Sequence, residues 1–180
     1  QITDADKRRL GKSGKPRGQF GINLNMSYKG FYLSALFQGS TKFNMYVAGS
    51  LGMQTGQTYG MPVAYDYQTD FWTPDNRDAQ YPRLMANTAL NQNNNYASSD
   101  FWLINGAYLR MKDFQFGYDF KYSLLKNVSW LTRCKMGISG QNIFTISQAT
   151  KYGMDPEPSD TNYYGYPVER TIALTLNLGF

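Results

Sequence analysis

Gln19-Phe-Gly-Ile-Asn-Leu-Asn-Met-Ser-Tyr28 decides the fold. Its even positions, Phe20, Ile22, Leu24, Met26 and Tyr28, are apolar. Its odd positions, Gln19, Gly21, Asn23, Asn25 and Ser27, are polar or small. A period of two puts these sets on opposite faces of a β-strand. Lys29-Gly30 follows, a two-residue hairpin turn. The apolar set then moves to odd positions: Phe31, Leu33, Ala35, Phe37, and further on Phe43, Met45 and Val47. A two-residue turn pairs positions whose numbers sum to 59. Met26 then faces Leu33, Leu24 faces Ala35 and Ile22 faces Phe37. The apolar sets of both strands fuse into one surface, which a one-residue slip would destroy.

Three further strands are predicted. One runs from about Ala107 to Tyr122, with Phe114, Phe116, Tyr118, Phe120 and Tyr122 on one face. Its first half has the opposite parity, Leu109 and Met111 apolar, which places a β-bulge near Lys112-Asp113. Another runs from Cys134 to Phe144 and the last from Arg170 to Phe180. The last alternates Ile172, Leu174, Leu176, Leu178 and Phe180 against Thr171, Ala173, Thr175, Asn177 and Gly179. Short and long connections alternate, so they fall on opposite ends of the sheet, as in outer-membrane barrels.

Composition narrows the class. The 180 residues carry 18 Lys and Arg against 13 Asp and Glu, with no His and one Cys. Aromatic content of 16% excludes disorder. No run of apolar residues is long enough for a membrane-spanning helix. One cysteine excludes a disulfide scaffold, and the lack of His excludes a His-ligated metal or a His base. Any export leader would lie outside the chain. The basic cluster Lys7, Arg8, Arg9, Lys12, Lys15 and Arg17 is mixed with Asp4, Asp6 and Pro16 and reads as a solvated loop, not a nucleic-acid site. No cofactor is expected, and no enzyme motif is present. Asp113 and Asp119 share a strand face, which lining of a lumen explains as well as a carboxylate pair.

The polar face has few charges, which suits the lumen of a transmembrane barrel better than the wet side of a soluble sheet. Phe20, Ile22, Leu24, Leu174, Leu176, Leu178 and Phe180 are then membrane-facing, with a role in assembly for the last. Tyr28, Phe31, Tyr122 and Phe180 form an aromatic girdle at the short-turn end, with Phe144 and Phe43 toward the other. This reading requires that no second layer of the same molecule cover the apolar face. Five strands cannot close alone, and an open sheet in lipid leaves costly unpaired backbone. Residues 1–180 are therefore expected to be the C-terminal piece of a larger barrel, with 1–17 an extracellular loop segment and 18–180 the barrel strands. Long extracellular loops are expected over about 48–105 and 145–169.

Several segments support a family resemblance. Asp70-Phe-Trp-Thr-Pro-Asp-Asn76 with Tyr81-Pro-Arg-Leu84 resembles the FWTPDNP…YPRL stretch of SusC/RagA-like TonB-dependent transporters. Ser99-Asp-Phe-Trp-Leu-Ile-Asn-Gly-Ala-Tyr-Leu-Arg-Met-Lys112, with Phe116-Gly-Tyr118, is similar to their SDFWLRDGSYLRLKN…LGY segment. Ser139-Gly-Gln-Asn-Ile-Phe-Thr145 with Tyr152-Gly-Met-Asp-Pro-Glu157 is similar to their SGQNLFT…YxGxDPE. Ile104-Asn105 and Arg77 depart from the pattern. The resemblance implies an all-β antiparallel transmembrane β-barrel, of which this chain is about five C-terminal strands of a roughly 22-stranded barrel with an N-terminal plug. It implies an outer-membrane nutrient importer, taking up oligosaccharides or oligopeptides through TonB with a SusD-like surface lipoprotein as lid.

Candidate contacts to substrate or lid follow from loop composition. Aromatic rings cover the apolar faces of sugars, and amides bond their hydroxyls. On that basis Tyr59, Tyr65, Tyr67, Trp72, Asn93, Asn94 and Trp102 are candidates. Phe71, Trp72, Phe101 and Trp102 lie in the family motifs, so packing of the loop competes for them. Asp155, Glu157 and Asp160 read as a rigid turn with Pro156 and Pro158, not a calcium site. The alternative function is a soluble carbohydrate-binding β-domain. A third reading is a non-transporting adhesive barrel.

Overall fold

The computed structural model describes residues 4–8, 14–46, 69–83, 99–157 and 168–180. The strands are β1 (Gln19–Tyr28), β2 (Phe31–Ser40), β3 (Asn44–Tyr46), β4 (Leu103–Asn105), β5 (Tyr108–Asp119), β6 (Arg133–Gln141), β7 (Thr145–Ser147) and β8 (Thr171–Gly179). The chain divides into two units. One comprises Pro16–Lys42, Ala107–Ser147 and Gly165–Phe180; the other comprises Gln1–Lys15, Phe43–Gly106 and Gln148–Tyr164.

The first unit is an antiparallel sheet in the order β1-β2-β5-β6-β8, with β7 also paired to β5. Tyr28 pairs with Phe31 and Gln19 with Ser40, the register in which partners sum to 59. The turn explains this. Lys29 at φ 48° and Gly30 at φ 90° both have positive φ, as a type I′ turn requires.

Register carries the two faces across the whole sheet. Met26, Leu33, Phe116, Ile138 and Leu174 form one row of the apolar face. Asn25, Ser34, Gln115, Ser139 and Ala173 form the matching row of the other. The β2–β5 register shifts where Leu36 faces Asp113 but Phe37 faces Met111, so Lys112 is the extra residue. The bulge restores parity. Leu109 and Met111 join the apolar face on one side of it, Phe114 and Phe116 on the other.

Three expectations need correction. Phe43 and Met45 do not extend β2 or belong to a girdle. β2 ends at Ser40, and both residues are buried in the other unit, at 4% exposure each. The Cys134–Phe144 strand is interrupted. Asn142 has φ 51°, β6 stops at Gln141, and β7 starts at Thr145 opposite Arg110. The break answers the bulge, since Asn142 N–H donates to Lys112 O and Ile143 N–H to Met111 O. Phe120 and Tyr122 leave the strand in a 3-10 turn, capped by Asp119 accepting from Lys121 N–H.

The short connections share one end, because Asp119 N–H donates to Gly30 O at 2.8 Å and Thr132 N–H to Gly179 O at 2.8 Å. β1 and β8 close the strand order, and among the described residues neither has a partner on its outer side. The apolar face is open: Ile22 is 56% exposed, Met136 53% and Leu174 84%. Burying such a side chain stabilises by about 1.5–3 kcal/mol. Covering a face this wide would therefore add substantially to stability.

The second unit has its own core. Phe43, Met45, Ile104, Ala149 and Met154 cluster with Tyr152 against them. β3 pairs with β4 through Met45 and Ile104. Gly106 N–H donates to Phe43 O at 2.9 Å, and the Phe43 ring lies where a Cβ of residue 106 would be.

Candidate functional site

Two surfaces are candidates for recognition: the polar face of the sheet and the second unit, which holds the Asp70–Tyr81 motif and the start of the Ser99–Lys112 motif. On the polar face, Ser27, Tyr32, Gly117, Gly137 and Thr175 form one row. Neither glycine has a side chain, so Tyr32 lies across both; its hydroxyl is 2.8 Å from where a Gly137 Cβ would be. Lys135 Nζ stands 5.5 Å over the Tyr32 ring and 3.8 Å from Asp119 Oδ2. Sequence reading missed this group. Its signal was two glycines on the polar parity of neighbouring strands, a vacancy that a long aromatic fills.

Asp113 and Asp119 lie on this face but do not make a carboxylate pair. Six residues separate them along one strand, about 20 Å at the rise of a β-strand. Asp113 accepts from Gln115 Nε2, and Asp119 from Lys121 N–H. Arg110 is buried and donates to Thr145 Oγ1 at 2.9 Å. The remaining groups are mainly amides and hydroxyls, suited to hydrogen bonding with polar solutes.

In the second unit, the Asp70–Tyr81 motif is held by one carboxylate. Asn76 Nδ2 donates to Asp70 Oδ1 at 3.0 Å and Gln80 N–H to Asp70 Oδ2 at 3.1 Å. These bonds, that from Asn76 first, hold the Asp70 carboxyl below its ordinary value of 3.8. Trp72 N–H donates to Tyr81 O and Tyr81 N–H to Asp70 O, closing the loop. Tyr81 is buried. Burial first, then a hydrogen bond with Tyr152, pushes its phenol well above the ordinary tyrosine range.

Trp102 is 4% exposed and meets Phe101 edge-on, centroids 4.8 Å apart. Phe101 in turn meets Tyr81 at 6.5 Å and is itself 53% exposed. Trp72 is 37% exposed. Of the candidate contacts, Trp72 is thus partly exposed, whereas Trp102 is buried beside Phe101. Tyr59, Tyr65, Tyr67, Asn93 and Asn94 lie outside the described residues. In the acidic turn, Asp155 Oδ1 accepts from Glu157 N–H at 2.9 Å, an Asx turn, while Pro158 and Asp160 lie outside the described residues. Phe20, Ile22, Leu24, Leu174, Leu176, Leu178 and Phe180 are all exposed. The six strand residues among them share the apolar face by register.

No protein-family model matches the chain. It is 28% identical over 195 aligned residues, covering all of this chain, to TonB-dependent receptor P3 of Formosa agariphila. The chain spans 18% of that relative's length. Its fold matches the RagAB peptide importer in the closed-closed state with a TM-score of 0.72 and 21% identity. The open-open state gives 0.71, also at 21%. Both matches cover 100% of this chain and 19% of the other. The chain is therefore similar, over its whole length, to a segment of a SusC/RagA-like TonB-dependent transporter.

Proposed function

We propose that the chain forms part of the wall and the outer loops of a TonB-dependent outer-membrane importer. The apolar face of the sheet meets lipid and the polar face lines the lumen. Strands outside this chain continue the ladder from β1 and β8 into a closed barrel of about 22 strands around a plug. The cargo is an oligosaccharide or an oligopeptide, admitted under a SusD-like lipoprotein lid and driven inward through TonB. Trp72, with Tyr59, Tyr65, Tyr67, Asn93 and Asn94, is the first set to test for contact with cargo or lid, and Trp102 holds the loop beneath.

One observation carries this reading. A single register keeps apolar side chains on one face of five strands, and that face is exposed. A soluble carbohydrate-binding domain would have to leave the same face in water. Fractionation of cells tests the location: the full-length protein should sediment with outer membranes and need detergent for release. Uptake of labelled oligopeptides and oligosaccharides, with and without a proton uncoupler, tests transport. Release by salt alone would defeat the membrane reading. Uptake that ignores the uncoupler would defeat the TonB reading.

A further inference from the structure

The apolar face is not uniform. Near the short-turn end it carries a groove of about 470 Å³, a size usual for small-ligand sites. Its walls are two rows of side chains, Phe31, Tyr118 and Met136 on one side and Phe116, Ile138 and Leu174 on the other. Backbone of Gly117, Gly137 and Thr175 lies between them. Phe31 fixes the upper rim, meeting Tyr118 edge-on at 4.7 Å and stacking on Phe116 at 6.2 Å. The groove runs across β2, β5 and β6 and ends on the edge strand β8.

The end of the sheet beside it is basic. Residues 28–31, 117–135 and 176–180 contain Lys29, Lys121, Lys126, Arg133 and Lys135 against the single acid Asp119, five positive charges to one negative. Lys135 is committed to Asp119, and Lys121 Nζ donates to Val128 O. Lys29 is placed differently. Its ammonium stands 5.2 Å over the ring of Tyr28, the apolar-face residue that pairs with Phe31. A cation is thus held over Tyr28, one strand from the Phe31 end of the groove, at the end of the sheet where an anionic headgroup would meet it.

We infer that this groove binds one glycerophospholipid, an acyl chain lying between the Tyr118–Met136 and Ile138–Leu174 walls, beside the Phe31–Phe116 stack, and the phosphate at the basic end of the sheet near Lys29. The inference rests on the membrane reading above. The acyl chain gains a fitted apolar bed in place of loosely packed neighbours, and the phosphate gains a charge. Such a lipid differs from bulk lipid by surviving detergent exchange.

Native mass spectrometry of the full-length protein, delipidated in detergent and then titrated with phosphatidylglycerol, tests this. Ile138→Trp fills the groove and should lower retention at least about tenfold. Leu174→Trp serves if that variant fails the heat-modifiability check for folding. Lys29→Asn keeps the turn and should lower retention about fivefold, the effect of one cation at a membrane surface. Ile146→Trp, on the same face away from the groove, should retain lipid as the parent does. Equal retention in Ile138→Trp and the parent, equal loss in Ile146→Trp, or preference for lipopolysaccharide over phospholipid would overturn the inference. Detergent-dependent extraction combined with any of these results would refute the groove alone. Recovery without detergent would refute the membrane reading and the groove with it.

Discussion

The ring of Trp130 lies parallel to that of Phe180, with centroids 5.8 Å apart and planes 5° from coplanar. Trp130 belongs to the connection between β5 and β6, whereas Phe180 follows β8. The stack therefore ties the last strand to a turn two strands earlier in the chain. Both rings are exposed, at 67% and 79%. An aromatic pair contributes about 0.5–1.5 kcal/mol beyond its area. Trp130→Ala should lower the temperature at which the folded full-length protein loses its compact mobility on cold SDS gels, and Trp130→Phe should keep most of it.

Tyr32 and the glycines beneath it make a second test. A Cβ on Gly137 would come 2.8 Å from the Tyr32 hydroxyl and 2.5 Å from Phe116 O. Gly137→Val should destabilise by about 1–3 kcal/mol, the cost of overpacking. Tyr32→Ala should itself destabilise, and Gly137→Val should cost less in that background. A double-mutant cycle on urea unfolding checks the coupling, and strict additivity would show that the ring does not depend on the vacancy.

The hairpin turn gives a prediction of opposite sign. Lys29 adopts a positive φ that Asn accepts more readily. Lys29→Asn should be neutral to slightly stabilising, by a few tenths of a kcal/mol. Gly30→Ala should cost about 1 kcal/mol or more, since φ is 90° and the new Cβ would sit 2.8 Å from the Tyr118 ring. The denaturant midpoint should fall for Gly30→Ala and hold or rise slightly for Lys29→Asn.

Asp70 gives a pH dependence. Its folded carboxyl is held below 3.8 by Asn76 and Gln80, so the unfolded loop binds the proton more tightly. The stabilisation is present above pH 3.8 and is lost as pH falls through the depressed folded value. Hydrogen exchange at the Gln80 amide should accelerate over that acid window, relative to its intrinsic rate. Asp70→Asn should show fast exchange with no such transition.

Cys134, the single cysteine, reports on the apolar face, since it pairs with Leu178 and precedes Met136 by two residues. In intact outer membranes a lipid-soluble maleimide should label it faster than a sulfonated one. Equal rates would place the thiol in water.

The main sheet was legible because period two and a two-residue turn leave one register. The bulge was legible too, since the parity of Leu109 and Met111 contradicts that of Phe114 and Phe116. What misled was alternation that continues past a strand's end. Phe43 and Met45 keep the parity of β2, yet Thr41 N–H turns back to Gly18 O and the chain enters another core. Parity cannot tell a lipid-facing residue from one buried in a small sheet. The interruption at Asn142 was hidden for a related reason. Phe144 returns to the expected parity, because Asn142 in the left-handed region absorbs the change. In the loops, composition singled out Trp72 and Trp102 alike; burial separates them.

The bare flanks of β1 and β8 have a practical consequence. In strands of ten and nine residues, every second residue turns its N–H and C=O outward, so about half of each strand is offered to any strand that arrives. Produced in isolation, this stretch should add copies of itself flank to flank and grow into insoluble ribbons.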